Sequence, residues 1–188
     1  MKYTYLDIPG VVLFEPSVYG DDRGFFYESY NEKVMQEALG EAPDFVQDNH
    51  SRSTNNVLRG MHYQIKHAQG KLVRVVRGEV YDVIVDLRRG SETFGQWLGV
   101  NLSENNKKLL WVPPGFAHGF YVLSEDAEFL YKTTDFYAPV YERSIIWNDP
   151  DINIDWPLSG KNPIVSEKDQ KASSFKNAEI YEYSKMHT

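Results

Sequence analysis

Two histidines, each inside a short and distinctive motif, are the residues of this chain best suited to chemistry. His62 lies in residues 59–64 (RGMHYQ), and His118 lies in residues 113–120 (PPGFAHGF). An imidazole can transfer a proton near neutral pH or bind a metal ion through a ring nitrogen. A catalytic metal usually needs three protein ligands, yet position 64 is Gln64 and residues 65–71 contain no carboxylate. The first motif therefore favours proton transfer.

Both motifs resemble those of cupin β-barrels. Metal-binding cupins usually supply His-x-His and a Glu from the first motif and one His from the second. Here the second motif is intact, whereas Gln64 stands where the second His of the first motif would be. Two imidazoles alone seldom hold a catalytic metal. The resemblance therefore implies a cupin barrel that binds no metal and whose pocket does proton chemistry on an organic substrate.

Length and composition fit one globular domain, residues 1–188. The chain is 41% hydrophobic and 25% charged, and its 13 Tyr, 10 Phe and 4 Trp favour strands. It has no Cys, which excludes a disulfide framework and thiol catalysis. A formal charge of −7 argues against a general nucleic-acid binder. Because the sequence shows neither a signal-peptide pattern nor a long apolar run, we expect a cytoplasmic protein with no membrane segment.

Short alternating segments separated by turns predict an all-β fold. One helix is expected between Asn31, as its N-cap, and Gly40. The tail from Asp149 is expected to pack over the barrel and to begin a short helix at Ser166. The prediction is thus an all-β, cupin-type β-barrel (jelly roll) with a few short helices and a C-terminal extension packed on it. Strands are expected at residues 11–15, 25–30, 72–76, 80–87, 97–102, 109–112, 119–123 and 128–136.

Eight short runs, in the same order, resemble the dTDP-4-dehydrorhamnose 3,5-epimerases. The resemblance extends over roughly residues 7 to 170, and so many runs in one order argue against chance. One departure is residues 65–68, where the family usually has a longer loop with two prolines; it concerns the rim of the pocket rather than its floor. The runs are residues 22–28 (DRGFFYE), 47–51 (QDNHS), 58–64 (LRGMHYQ), 68–73 (AQGKLV), 114–120 (PGFAHGF), 131–134 (YKTT), 147–150 (WNDP) and 166–169 (SEKD).

This resemblance implies an isomerase without a metal or redox cofactor, acting on a dTDP-linked 4-keto-6-deoxyhexose. A ketone at carbon 4 acidifies the hydrogens on carbons 3 and 5, so inversion needs a base on one face, an acid on the other and a cation near the enolate oxygen. By similarity, His62 is the base, and Asp169 holds its second ring nitrogen. Tyr131 is the acid, and Lys71 stabilises the enolate. The implied product is dTDP-4-keto-L-rhamnose, in dTDP-L-rhamnose biosynthesis.

The resemblance also implies nucleotide ligands and a second subunit. Arg23 and Arg59 would meet the diphosphate, because a guanidinium matches pairs of phosphate oxygens. Phe26 would stack on thymine. In the family some of these residues reach the site from a neighbouring subunit, which implies a homodimer with exchanged strands. The other residues at family positions that line the nucleotide or sugar are Glu28, Gln47, Asn49, His118, Glu142 and Lys168.

Each assignment has a plainer alternative when the residue is considered alone. His62 could be a hydrogen-bonded histidine of the core or rim, and Tyr131 could be a packing residue of an aromatic-rich strand. Asp169 fits a capping box over residues 166–169, in which the carboxylate closes the start of a helix. The residues that could simply be solvated charges are Lys71, Arg23 and Arg59. The histidines without an assigned role are His50, His67 and His187.

Three other functions are compatible with the same residues. One is an epimerase that inverts only carbon 3 or only carbon 5 of a related dTDP-4-keto sugar. A second is a metal-dependent cupin, such as a dioxygenase or sugar isomerase, that uses His62 and His118 with further ligands. The third is a non-catalytic nucleotide-sugar-binding protein, which would bind dTDP without exchanging substrate hydrogens.

Overall fold

Two facing β-sheets form the body of the computed structural model, which describes residues 1–158 and 160–182. His187 lies outside the described residues. The strands are β1 (Lys2–Tyr5), β2 (Val12–Glu15), β3 (Tyr19–Asp21), β4 (Gly24–Phe26), β5 (Gln47–Thr54), β6 (Leu58–Gln64), β7 (Lys71–Arg77), β8 (Glu79–Asp86), β9 (Arg88–Arg89), β10 (Trp97–Ser103), β11 (Leu109–Val112), β12 (Phe116–Val122), β13 (Asp126–Thr133), β14 (Glu142–Ser144) and β15 (Tyr181–Glu182).

Strand order shows how the sheets are built. The six-stranded sheet runs β1-β2-β11-β7-β13-β5, and the five-stranded sheet runs β10-β8-β12-β6-β14. Neighbours within both sheets are antiparallel. Strands close in sequence are thus divided between two layers that enclose a common core. The predicted all-β jelly roll is confirmed.

Helices are few and short, as predicted. Helix α1 spans Glu32–Leu39, with Asn31 as its N-cap and Gly40 in the left-handed conformation at its C-terminal end, φ 86°. Helix α2 spans Glu167–Gln170 and is capped by Ser166. Two 3₁₀ turns lie at Pro139–Tyr141 and Phe175–Asn177. Among the described residues, no helix has the length and apolar character needed to cross a membrane.

Because successive side chains of a strand point to opposite faces of its sheet, the buried residues form an inner core between the sheets and two outer layers. Val73, Ile84 and Phe129 are among the inward residues that fill the space between the sheets. The outer face of the six-stranded sheet is covered by α1. The outer face of the five-stranded sheet is covered by the C-terminal segment, whose Ile152 and Trp156 are buried there. This confirms the expected packing of the C-terminal extension on the barrel.

The region before α1 corrects one strand prediction. The expected strand at residues 25–30 is wrong, because β4 ends at Phe26 and pairs with β3 in a hairpin. The hairpin turn forms because Asp21 Oδ1 accepts the backbone N–H of Arg23 at 2.9 Å and Gly24 adopts φ 132°. Residues 27–30 then lead to the Asn31 cap without strand pairing.

Two further differences concern the six-stranded sheet. Strand β5 was not predicted because its sequence, QDNHSRST, lacks apolar alternation; it is fixed by full-length pairing with β13. The strand expected at residues 128–136 instead spans Asp126–Thr133, and it ends where Thr133 Oγ1 donates to the carbonyl of Asp135 at 2.9 Å.

Gly119 permits the close approach of β12 to β6, the two strands that carry the histidine motifs. A Cβ at this position would lie 2.6 Å from the Arg59 carbonyl oxygen and 2.8 Å from Met61 Sδ. We therefore expect Gly119→Ala to lower the free energy of unfolding by about 1–3 kcal/mol, the usual cost of overpacking, in urea denaturation. Gly20→Ala is the control, because its nearest contact would be an ordinary 3.6 Å. Equal stabilities of the two variants would contradict this packing constraint.

Candidate active site

A pocket of about 200 Å³ opens between the two sheets and gathers six of the thirteen predicted site residues. Because side chains alternate along a strand, Met61 and Tyr63 of β6 belong to the outer layer, whereas His62 points into the pocket. Strands β7, β12 and β13 contribute in the same way. The predicted residues that line this pocket are Arg59, His62, Lys71, His118, Tyr131 and Glu142.

A short hydrogen bond joins His62 to Asp169. Nε2 of His62 lies 2.6 Å from Oδ1 of Asp169, and Oδ2 accepts the backbone N–H of Gly60 at 3.4 Å. The Asp169 side chain is 4% exposed, whereas that of His62 is 32% exposed and so reaches the pocket. Since an ionised carboxylate only accepts, Nε2 carries a proton, and in the neutral form of the imidazole Nδ1 keeps a lone pair. This arrangement is that of a base oriented by a carboxylate.

The capping interpretation of Asp169 accounts for its backbone but not for its side chain. Ser166 Oγ accepts the backbone N–H of Asp169 at 3.1 Å, so Ser166 is a true N-cap of α2. Although burial alone would raise the pKa of the Asp169 carboxyl, the hydrogen bond and charge of His62 hold it below its ordinary value. Asp169 is therefore ionised at neutral pH, and its cap places it against the imidazole.

Lys71 supplies a buried ammonium group at the floor of the pocket. The residue is 9% exposed. Burial lowers the pKa of Lys71 to about 8, and the carboxylates of Asp82 and Glu142 oppose that shift. The side chain thus remains largely protonated at neutral pH, despite its burial. A cation in such a poorly solvated position can stabilise a nearby developing negative charge strongly.

Asp82 is a component of the floor that sequence reasoning missed. It lies on β8, is completely buried, and both of its oxygens contact Nε2 of His118, at 3.0 and 2.9 Å. Burial raises the pKa of Asp82, and its interactions with His118 and with the ammonium of Lys71 counteract part of this rise. One signal was available in the sequence: a carboxylate interrupts the apolar run 80–87 at an inward position, between Val80 and Ile84.

Tyr131 lies in the sheet opposite His62. It belongs to β13 of the six-stranded sheet, whereas His62 belongs to β6 of the five-stranded sheet, and both line the pocket. Burial raises the pKa of the Tyr131 phenol. The hydroxyl therefore stays protonated at neutral pH and can donate a proton from the side of the pocket opposite His62.

Polar side chains surround the pocket mouth. Oε2 of Glu142 lies 2.5 Å from Lys168 Nζ and accepts the hydroxyl of Tyr137 at 2.9 Å. Arg59 Nε donates to Ser53 Oγ at 2.9 Å, which orients its guanidinium along the wall. Sequence reasoning did not identify Tyr137, because it lies beyond the end of β13, in a segment without a recognisable pattern.

Gln47 and Asn49 lie beside the pocket rather than in its wall. Asn49 pairs with Tyr131 across β5 and β13, and Gln47 Nε2 donates to Asn49 Oδ1 at 2.9 Å. Gln47 Oε1 also accepts the backbone N–H of Tyr137 at 3.0 Å. Their contact with a ligand stays a prediction.

Three predicted binding residues are not brought to the pocket within one chain. Arg23 is 90% exposed at the hairpin tip and pairs with Asp21, and Phe26 is 68% exposed on the same hairpin. Glu28 accepts a hydrogen bond from Asn31 Nδ2 at 3.2 Å, near the start of α1. Their roles stay predictions.

The described residues of this pocket do not form a cluster of metal ligands. Within residues 1–158 and 160–182, no three His, Asp or Glu side chains are grouped so that they could hold a metal ion. Nε2 of both pocket histidines is engaged by an aspartate. The absence of a metal in the working enzyme stays a prediction.

Asp82 should control the charge of Lys71. Because the Asp82 carboxylate opposes the effect of burial, Asp82→Asn should move the pKa of Lys71 below its value of about 8. The measurement is a pH titration by NMR of lysine labelled with ¹³C at Cε, with the Lys71 signal assigned from Lys71→Arg. Asp126→Asn, which removes a carboxylate bonded to Arg52 and Arg77, is the control. An unchanged Lys71 titration in Asp82→Asn would contradict the coupling.

Comparison with known proteins agrees with this geometry. A sequence model described as dTDP-4-dehydrorhamnose 3,5-epimerase matches residues 5–177. A dTDP-4-dehydrorhamnose 3,5-epimerase of Pseudomonas aeruginosa is 64% identical over 181 residues, which are 96% of this chain and 99% of that protein. The likeness therefore extends through nearly the whole of both chains.

Two solved structures show the same fold. A dTDP-6-deoxy-D-glucose-3,5-epimerase from Legionella pneumophila, in complex with dTDP-4-keto-L-rhamnose, is 51% identical, with a TM-score of 0.93 and coverage of 97% of this chain and 98% of that one. A 3'-monoepimerase from Streptomyces bikiniensis, in complex with dTDP-quinovose, is 33% identical, with a TM-score of 0.91 and coverage of 97% and 94%. From its sequence, its fold and its pocket, this chain belongs to the dTDP-4-dehydrorhamnose 3,5-epimerase family.

Proposed function

We propose that this protein epimerises dTDP-4-keto-6-deoxy-D-glucose at carbons 3 and 5 to give dTDP-4-keto-L-rhamnose, a step of dTDP-L-rhamnose biosynthesis. The observation that carries the proposal is the pairing of a carboxylate-bound imidazole, His62, with a protonated phenol, Tyr131, in opposite sheets around one pocket. Inversion at carbon needs proton removal on one face and delivery on the other. As an activated nucleotide sugar is a metabolite of the cell interior, the proposal includes a cytoplasmic location.

In the first step, Nδ1 of His62 removes the acidic hydrogen next to the ketone. Asp169 keeps the other ring nitrogen protonated and stabilises the imidazolium that forms, because its carboxylate is ionised and 2.6 Å away. Proton transfer by a positioned base of this kind typically contributes about 10² to 10⁴ in rate. The electrons of the broken C–H bond move toward the carbon 4 oxygen, which becomes an enolate.

In the second step, the enolate is stabilised and then reprotonated from the other side, after which proton exchange with solvent returns His62 to the neutral imidazole and Tyr131 to the phenol. The buried ammonium of Lys71 faces the negative charge in a poorly solvated site, an effect often worth roughly 3 to 4 kcal/mol. Tyr131 delivers a proton to the carbon from the opposite wall, which inverts the configuration. Repetition at the second carbon completes the epimerisation.

The rival functions receive less support from the same observations. A non-catalytic binding protein would have no need of an ionised carboxylate bonded to a pocket imidazole opposite a protonated phenol. A metal-dependent cupin would need ligands beyond His62 and His118. An epimerase acting at a single carbon shares the mechanism, but the chain is 64% identical to a 3,5-epimerase and 33% identical to a 3'-monoepimerase. Inversion at both carbons is therefore the proposed activity.

We further propose that two chains complete each site. Among the described residues, β3 and β4 pair only with each other. Their hairpin exposes Tyr19, Phe25 and Phe26 by 63–68%, a patch of the kind that marks an interface. Strand β5 is an edge of the six-stranded sheet and lies next to the pocket strand β13. Addition of a partner's hairpin beside β5 would cover both surfaces. It would also bring the diphosphate ligand Arg23 and the thymine ligand Phe26 to the pocket.

The proposed activity is tested by His62→Ala with the substrate in deuterated water. The wild-type protein should replace the hydrogens at carbons 3 and 5 with deuterium, as seen by loss of their proton NMR signals. His62→Ala should lose exchange at both carbons but keep nearly the same affinity for dTDP, because the nucleotide is held by other residues. His50→Ala is the matched control, since His50 lies outside this pocket and bonds Glu128. Near-normal exchange by His62→Ala would remove His62 as the base.

Contribution of Arg23 in trans is tested by mixing two inactive variants. Arg23→Ala and His62→Ala, co-purified after denaturation and refolding together, should regain about a quarter of wild-type activity, because half of randomly assorted dimers are mixed and each has one intact site. A mixture that stays as inactive as its components, while native mass spectrometry shows mixed dimers, would place Arg23 in its own chain's site.

A further inference from the structure

Gln64 occupies a central position in the wall of the pocket, although no role has been assigned to it so far. It follows His62 by two residues on β6, so both side chains point to the same side of the sheet. The residue is 4% exposed. At this position a metal-binding cupin would carry a histidine, whereas this chain carries an amide.

The side-chain amide of Gln64 is fully occupied by backbone groups. Nε2 donates to the carbonyls of His67, at 2.7 Å, and Phe136, at 3.2 Å. Oε1 accepts the backbone N–H of Ala138 at 2.8 Å. An amide has two N–H donors and one carbonyl, so Gln64 has little capacity left to bind a substrate directly. It joins two segments of the rim, residues 65–68 and residues 136–138.

Tyr137 lies between the two residues that Gln64 holds on the second segment. Its side chain is part of the pocket wall but is 54% exposed as a residue, so packing alone does not fix it. Its hydroxyl donates to Oε2 of Glu142 at 2.9 Å, the oxygen that also lies 2.5 Å from Lys168 Nζ. The position of Tyr137 therefore depends on backbone bonds. Its own N–H donates to Oε1 of Gln47, and the residues on both of its flanks, Phe136 and Ala138, are bonded to Gln64.

We infer that Gln64 is a positioning residue that fixes Tyr137, and through it Glu142, on the wall beside His62. This inference rests on the proposed function, because it concerns the sugar end of the same site. Gln64, His62, Tyr137 and Glu142 all line one pocket, whereas the proposed nucleotide ligands Arg23 and Phe26 do not. Loss of the three hydrogen bonds made by the Gln64 amide should consequently impair turnover of the sugar more than binding of dTDP.

A double-mutant cycle between Gln64 and Tyr137 tests this inference. Gln64→Met, which keeps the side-chain length but removes the three hydrogen bonds, should lower kcat/KM by about tenfold or more, with dTDP affinity changed less than about twofold. In a Tyr137→Phe background the same substitution should have little further effect, because both changes break one chain of contacts. Additive losses would show that Gln64 acts without Tyr137 and would overturn the inference.

Gln64→Glu guards against a simple folding defect. The introduced carboxyl has nearly the shape of the amide, keeps an acceptor for Ala138, and regains one donor only when protonated. Activity relative to the wild type should therefore rise as pH falls, whereas a general loss of stability would not be relieved by acid. If the activity of Gln64→Glu relative to the wild type did not change with pH, the positioning role of the Gln64 amide would be contradicted.

Two comparisons separate the possible failures. Asn55→Leu removes an exposed amide that donates to the carbonyls of Leu123 and Ser124, away from the pocket, and should leave turnover unchanged. If the wild-type protein itself does not exchange hydrogens at carbons 3 and 5, the proposed function fails. If the wild type is active and Gln64→Met matches it, the inference about Gln64 alone fails.

Discussion

The hydrogen bond between His62 and Asp169 connects the barrel to the segment that closes it. The two residues are 107 positions apart in sequence, so the bond forms only when the C-terminal extension has packed on the outer face of the five-stranded sheet. Ser166 Oγ accepts the backbone N–H of Asp169, and the backbone N–H of Gly60 donates to its carboxylate, so the residue is held at both ends. Assembly of the extension is thereby a condition for orienting the base.

Charges buried in the floor form the second constraint on the site. Lys71 and Asp82 are buried between the sheets, where Asp82 also bonds His118, and either charge alone would be costly to bury. Their mutual attraction keeps an ammonium group in a position where water cannot screen it. This preorganised cation is what an enolate needs, and it comes from the apolar strands β7, β8 and β12 that also build the core.

Much of the fold followed from local patterns, because alternation and capping are local signals. The α1 cap at Asn31, the Gly40 end, and the strands around both histidine motifs were confirmed. Strand β5 was missed because its sequence is polar throughout, and it exists through pairing with β13. The strand expected after Phe26 is wrong because the hairpin turn and the Asn31 cap leave no partner for residues 27–30.

Site residues were predictable where the residue type itself indicates the chemistry. They were less predictable where the role depends on where the residue lies in the folded chain. His62, Lys71 and Tyr131 meet in one pocket as predicted. Asp169 resembled the end of a capping box, and its backbone N–H is indeed bonded by the Ser166 cap, while its carboxylate bonds His62. Asp82 and Tyr137 depend on long-range contacts that no local pattern reveals, and Gln64 was noticed only as a missing metal ligand. The hairpin residues Arg23 and Phe26 lie outside the pocket within one chain, so their binding roles stay predictions.

The measurement that tests the two-wall account most directly is the stereochemical outcome with Tyr131→Phe in deuterated water, followed by proton NMR. If His62 removes the hydrogen from one side and Tyr131 returns it from the other, this variant should still form the enolate and exchange hydrogen for deuterium, but without inversion. Exchange with retained configuration at carbons 3 and 5 is the predicted result. Inversion at the wild-type rate would contradict the account, since a proton would then reach the opposite face without Tyr131.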